Sequence, residues 1–365
     1  MPFDEREFPN LPADAKAACR RSRRLVAGWL FALAFMVFVM IVLGGATRLT
    51  GSGLSIMEWA PVSGALPPLT DAEWERVYGL YQQIPQYQLL HAGFGLGGFK
   101  QIFWLEWVHR LWGRLMGVVL LVPLIVLWIT GRIDRQLVPR LVLIFMLGGL
   151  QGAVGWFMVA SGFFPDATAV SPYRLVVHLV LALSLYAALL WTALSVLRPA
   201  SMPWPGAGLA RWLVRVTCVL VALTIIAGGF VAGTHAGLDY NTFPLMDGHF
   251  VPEGYTRLDP VLRNLTENIA AVQFDHRLLA TATVVLALGA SAAGLWTAAA
   301  NGTRAAFMAL AGAATAQYAL GIATLLFVVP VGLAVLHQAG AVLVLTASLA
   351  ALHALRRPHA KELVS

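Results

Sequence analysis

Apolar residues in this chain come in long blocks separated by polar stretches. Eight blocks are long enough to cross a bilayer core of ~30 Å as helices of roughly 20 residues. They lie at about 25–45, 107–129, 140–160, 173–197, 212–233, 271–298, 305–328 and 332–355. Two of the intervening stretches are long, about 46–105 and 234–270, and mix acidic, aromatic, Gly and Pro residues. The pattern predicts an all-α integral membrane protein with eight transmembrane helices.

Charge then orients the helices. "RRSRR" precedes the first block, and "GRIDRQLVPR", "LRPASMPWPGAGLAR", "NGTR" and "LRRPHAK" follow the second, fourth, sixth and eighth. With eight spans all of these fall on one side, which the positive-inside rule makes the cytoplasm. Both termini are then cytoplasmic and the two long loops face outward.

The blocks also repeat. "VLGGATRLTGSGLS" (42–55) resembles "IAGGFVAGTHAGLD" (226–239), and "VHRLWGRLMGVVLLV" (108–122) resembles "DHRLLATATVVLAL" (275–288). "LQGAVG" (150–155) resembles "AQYALG" (316–321), and "RLVVHLVLAL" (174–183) resembles "LAVLHQAGAVLVL" (333–345), in the same order. Each half holds four spans, so both enter the membrane from the same side. That predicts two tandem, parallel, pseudo-symmetric four-helix bundles rather than an inverted repeat. The divisions are a tail at 1–24, a first half at 25–197, a linker at 198–211, a second half at 212–355 and a tail at 356–365.

Composition agrees: 59% of the 365 residues are hydrophobic and 12% charged, against about a quarter charged in soluble domains. The net charge of +7 is therefore membrane topology and not a nucleic-acid footprint. Four acidic residues ahead of the first basic cluster argue against a mitochondrial transit peptide, and the first span reads as retained. Cys19 and Cys218 lie in different environments, with no CxxC motif, so neither a disulfide nor Cys-based metal chemistry is expected.

The histidines carry the candidate chemistry. Four of nine fall within spans, and the repeat matches His109 with His276 and His178 with His337. Each sits near the outer start of an inward-running span, so all four are expected at one depth, as two pairs. A lone intramembrane histidine can be a hydrogen-bonded core residue; four in register are harder to explain that way. Two imidazoles on facing helices suit the two axial positions of a haem better than a zinc site, which takes three or four protein ligands. His91, His249, His353 and His359 do not repeat and are expected to be solvent-facing or interfacial. His235 aligns near Arg48 and is a candidate for the outer end of a site.

Arg110 and Arg277 each follow a span histidine. With Arg48 and Arg114 they are candidates for haem propionates, against the plainer reading of snorkelling to the interface. Glu106 lies three residues before His109, on the same helix face. The second half has Gln273 there. A carboxylate present in one half only points to chemistry in that half, as a proton acceptor or charge stabiliser, against a structural pairing with Arg110 or Arg114.

The motifs "GGATRLTGSGLSIMEW" (44–59), "EWVHRLWGR" (106–114), "AGLDYNTFPLMDG" (236–248), "QFDHRLLA" (273–280) and "LHQAGA" (336–341) resemble the haem A synthase family, in its proteobacterial and mitochondrial branch, across nearly the whole chain. The resemblance implies a haem b cofactor held by His276 and His337 in the second half. It implies a substrate, haem O, bound through His109 and His178 in the first. The implied reaction oxidises the C8 methyl of haem O to a formyl group, giving haem A for cytochrome oxidase, with Glu106 taking part. The implied setting is the bacterial inner membrane, with both haem sites near the periplasmic face. The electron donor, ferredoxin-like or quinol, stays open, as does a homo-oligomer. Haem O synthase and cytochrome oxidase assembly factors are candidate partners beside the lipid bilayer. Some members carry a cysteine pair in the outer loops; this chain has none there, so a mechanism relying on it does not carry over. The alternatives are a di-haem quinol oxidoreductase, disfavoured because both pairs fall at one face, and a non-catalytic haem-binding or transport protein.

Overall fold

The computed structural model describes residues 12–197, 206–297 and 301–356. His359, the terminal segments 1–11 and 357–365 and most of the linker lie outside the described residues. The described chain is helical: α1 Ala13–Leu49, α2 Asp71–Tyr81, α3 Leu96–Ile129, α4 Val138–Ala160, α5 Pro172–Leu197, α6 Gly208–Gly233, α7 Asn264–Glu267, α8 Ile269–Thr297, α9 Asn301–Leu326 and α10 Val331–Ala354. No strand occurs among the described residues beyond an isolated bridge between Met246 and His249. Eight helices, all but α2 and α7, are long and apolar enough to cross a membrane.

Six of these match the expected spans to within a few residues. The other two are longer. α1 begins at Ala13 rather than near 25, so the basic cluster is a helical continuation of the span. α3 begins at Leu96 rather than near 107. At 1.5 Å per residue its 34 residues reach about 50 Å, roughly 20 Å more than a bilayer core. Its excess first turns are aromatic and pack in the outer loop region. There Phe99, Ile102 and Phe103 meet Leu54, Trp74, Tyr81 and Ile84 in a second hydrophobic cluster. Helix α2, opened by a capping box between Thr70 and Glu73, supplies Trp74 and Tyr81.

In the main core, α1 packs on α3 and α5, and α4 on α5; α6 packs on α8 and α10, and α9 on α8 and α10. The two groups meet along α1–α10, α5–α6 and α5–α10. α1 turns Val26, Leu30, Leu33, Val37 and Ile41 inward at helical spacing. In lipid such contacts rest on close packing and buried polar bonds. Tyr186 Oη meets Thr346 Oγ1 at 2.7 Å, and Gln338 Nε2 donates to the Ile41 carbonyl at 2.7 Å. Glycine permits the approach. A Cβ on Gly45 would lie 2.2 Å from Gln338 Oε1, and one on Gly229 would lie 3.0 Å from Val176 and 3.3 Å from Leu179. Gly45 and Gly229 are repeat equivalents, as are Leu179 and Gln338, so each half makes the same joint to the other.

His353 departs from expectation. It is buried at the end of α10, 3.3 Å from Ser195 Oγ and edge-on to Trp191. No disulfide joins Cys19 and Cys218.

Candidate functional site

All four repeat-related histidines are seated against a glycine of a neighbouring helix. A Cβ on Gly228 would lie 3.0 Å from His276 Cε1, on Gly321 2.8 Å from His337 Cε1, on Gly155 2.9 Å from His178 Cε1 and on Gly44 3.6 Å from His109 Cε1. The glycines are themselves repeat pairs: Gly44 with Gly228, Gly155 with Gly321. Each α4 or α9 seat also carries a glutamine one turn away. Gln151 Nε2 lies 3.2 Å from His178 Nδ1 and donates to its carbonyl, and Gln317 Nε2 lies 3.1 Å from His337 Nδ1 and donates to its carbonyl at 2.8 Å. Sequence reasoning missed these seats. Their signal was present, because the segments that carry them, "VLGG"/"IAGG" and "LQGAVG"/"AQYALG", are the ones that betray the repeat.

The second-half pair has a geometry fit for one shared metal ion. The rings of His276 and His337 stand 6.5 Å apart, centre to centre, at 87°. Two imidazoles ligating one ion at about 2 Å each need roughly that separation. His276 Nδ1 lies 3.1 Å from the Thr224 carbonyl, which takes its proton and leaves Nε2 bare for a metal. Gln317 Oε1 is buried without a partner. Among the described residues no three His, Cys, Asp or Glu side chains converge, so the imidazoles come in pairs.

Beside each pair, an arginine ties the outer loop to the helix. Arg110 donates to the carbonyls of Ile56 at 2.6 Å and Glu58 at 2.8 Å; Arg277 donates to those of Tyr240 at 2.5 Å and Thr242 at 2.8 Å. The four carbonyls are repeat equivalents. Each arginine also bonds the residue four before it, Glu106 at 2.6 Å or Gln273 at 2.8 Å. Arg114 reaches Ala60 and Pro61 in the same way. So Arg110, Arg114 and Arg277 each give two hydrogen bonds to loop carbonyls, while Arg114 Nη1 and Arg277 Nε are buried without a partner. Arg48 differs: its guanidinium makes no hydrogen bond or ion pair among the described residues. It faces His235, whose pKa is lowered by partial burial first and by the Arg48 charge second. His235 is exposed, in a left-handed conformation with φ 59°.

Glu106 is 3% exposed and its carboxylate is fully engaged. Oε2 accepts from Ser55 Oγ at 2.7 Å and from the Ile56 amide at 2.9 Å; Oε1 accepts from Arg110 Nη2 at 2.6 Å and Nε at 3.0 Å. Gln273 reverses the polarity. Its Nε2 donates to the Ala236 and Asp239 carbonyls. The two halves thus share a clamp, built around an anion in one and a neutral amide in the other. The negative charge of Glu106 reaches Tyr81, whose ionisation is pushed up by burial first and then by that charge. Tyr81 Oη also lies 2.5 Å from His91 Nδ1, so His91 is half-buried and stacked on Phe94 rather than solvent-facing. His249 is exposed, as expected, 3.6 Å from Glu253.

Comparison with known proteins bears on this arrangement. A family model described as "cytochrome oxidase assembly protein" (COX15-CtaA) matches residues 27–349. The chain is 65% identical to the haem A synthase of Granulibacter bethesdensis over 92% of its own length and 89% of the relative's. It is 49% identical to the haem A synthase of Rhodospirillum centenum, over 95% and 92% of the two chains. It is 46% identical to haem A synthase 2 of Acidiphilium cryptum, over 94% and 95%.

Proposed function

Because the chain belongs to the COX15-CtaA family of cytochrome oxidase assembly proteins, we infer that it is a membrane-bound haem A synthase, oxidising the C8 methyl of haem O to a formyl group. The observation that carries the assignment of parts is the pair of glycine-seated histidine couples, with a buried carboxylate clamp beside only one of them.

In this reading His276 and His337 hold haem b, and His109 and His178 bind the substrate. The cofactor supplies electron transfer to or from the substrate half. The chain's own residues do the rest. The Gly228 and Gly321 seats fix two imidazoles at one separation, and the Thr224 carbonyl holds the His276 proton on Nδ1. In the first half Gly44 and Gly155 place the two substrate ligands, and Gln151 steadies His178. Methyl to formyl is two successive two-electron oxidations, through an alcohol and then an aldehyde hydrate that loses water. Glu106, on the His109 face of α3, sets a fixed carboxylate beside that chemistry, where it stabilises developing positive charge or takes a proton. Arg48, whose guanidinium makes no hydrogen bond, has donors for a propionate, with His235 beside it, and Arg114 Nη1 and Arg277 Nε are further unpartnered donors. In the same reading both sites lie toward the outer face of a bacterial inner membrane and both termini are cytoplasmic, which the helix count and the basic segments support.

The test is Glu106→Ala in purified protein of normal haem content. Loss of haem A formation is expected, and production at the normal rate would remove Glu106 from the chemistry. His276→Ala should abolish the bis-histidine haem b spectrum. An intact spectrum would overturn the ligand assignment. Extraction of pigment decides between this function and a simple haem carrier, since only the synthase should yield haem O and haem A together.

A further inference from the structure

The two halves differ in one packing seam. α8 and α9 pack along their lengths, whereas their counterparts α3 and α4 meet at only a few residues. The second-half seam is closed by Tyr318, whose Oη lies 2.9 Å from Thr281 Oγ1 and whose ring packs edge-on to Phe243. In the first half Tyr318 is replaced by Gly152, and Thr281 by Arg114, which turns away to the Ala60 and Pro61 carbonyls.

The face of α4 shows where this gap leads. Gly148, Gly152 and Gly155 share one helix face at i, i+4 and i+7. A Cβ on Gly148 would touch Leu120 of α3 at 3.7 Å, and one on Gly155 would press on His178 Cε1 at 2.9 Å. Between them, a Cβ on Gly152 would meet nothing within 4 Å, and Gly152 is exposed. The unfilled stretch at Gly152 therefore lies one turn from the seat of His178, on a seam with α3, whose Leu115 and Val118 are exposed apolar side chains. Nothing about the helix backbone requires it, since α9 keeps the histidine seat at Gly321 and fills the same position with tyrosine.

We propose that the α3–α4 seam is a lateral opening to the bilayer that takes the long isoprenoid-derived tail of haem O, and that Gly152 in place of Tyr318 makes this half accept a tailed haem. The proposal rests on the assignment of haem O to His109 and His178. A haem without that tail needs no such gap, which matches the closed seam around His276 and His337.

The experiment titrates haem O and haem b, separately, into purified holoprotein whose second-half site is filled, and follows the first-half Soret change. Wild type should bind haem O at least about tenfold more tightly than haem b, because the tail adds several buried methylenes. Gly152→Tyr should remove that preference, lowering haem O affinity about tenfold and leaving haem b binding and the second-half spectrum in place. Undiminished haem O binding by Gly152→Tyr overturns the proposal. So does an equal loss of both haems, which would mean a disturbed His178 seat. If wild type binds no haem O at this half, the underlying site assignment fails, and the seam's role with it.

Discussion

Four histidines reach their positions by one device, a glycine on the helix behind each ring. The device is graded. At Gly321, Gly155 and Gly228 an added methyl would stand at or inside 3.0 Å of the imidazole, but at Gly44 only at an ordinary 3.6 Å. Overpacking of the first kind costs about 1–3 kcal/mol. Gly321→Ala should therefore weaken haem retention by roughly tenfold or more and perturb the bis-histidine spectrum, while Gly44→Ala should change neither; the measurement is haem content and low-spin absorption after purification. Equal effects of the two would show that the seats do not control the rings. At this scale the four histidines stood out in the sequence as candidates because they repeat in register, and Glu106 because its counterpart Gln273 is not acidic. The glycines did not, because a missing Cβ has meaning only once the neighbour that fills its place is known. The engagement of Arg110 and Arg277 was also hidden, since their partners are backbone carbonyls 35 to 54 positions away.

At the scale of elements, each outer loop is held to its helix by an arginine reading two carbonyls. Lysine keeps the charge but lacks the planar fork. Arg110→Lys should therefore free residues 56–58, seen as faster amide hydrogen exchange there, with a stability loss of about 1–3 kcal/mol; unchanged exchange would assign the loop's order to other contacts. A second tie, Arg76 to Glu58 at 2.9 Å, lies at the surface. Hydrogen bonds from Arg76 hold the Glu58 carboxyl below its ordinary pKa. Its contribution is thus full above the ordinary carboxylate range and disappears as pH falls through the lowered value. Being half-exposed, it is worth about 0–1 kcal/mol. Fluorescence of neighbouring Trp59 should report a small loosening between about pH 6 and pH 3 that Glu58→Gln shows already at neutral pH. Hydropathy predicted the spans well and α3 poorly. The turns from Leu96 to Glu106 leave the apolar stretch to join an aromatic cluster with α2, and a pattern tuned to lipid thickness does not register a helix that continues beyond it.

Across the whole molecule, the halves are tied by specific polar contacts, Tyr186 to Thr346, Gln338 to Ile41, Tyr173 to Thr266 and Glu267, and Ser195 to His353 and Arg356, and glycines 45 and 229 each receive a side chain from the other half. Removing one neutral hydrogen bond, as in Tyr186→Phe, should cost about 1 kcal/mol and lower the thermal midpoint by a few degrees with both haem spectra kept. Gly45→Leu should instead break the joint, with Gln338 driven from the Ile41 carbonyl and haem lost from both halves together; loss from one half alone would show that the halves are held independently.

That joint is also reciprocal. Consecutive glycines look to different halves: Gly44 to the histidine of its own, Gly45 to the residue beside the histidine of the other, and Gly228 and Gly229 do the same in return. Such a self-complementary contact is what two identical chains make about a twofold axis. Within one chain, the two halves thus keep the arrangement of a symmetric dimer. A single chain need not match its two halves, and Glu106 against Gln273, Gly152 against Tyr318, and Leu179 against Gln338 are differences that two identical chains could not hold. Within one chain the two halves cannot exchange places, so each can carry its own side chains at positions the symmetry makes equivalent.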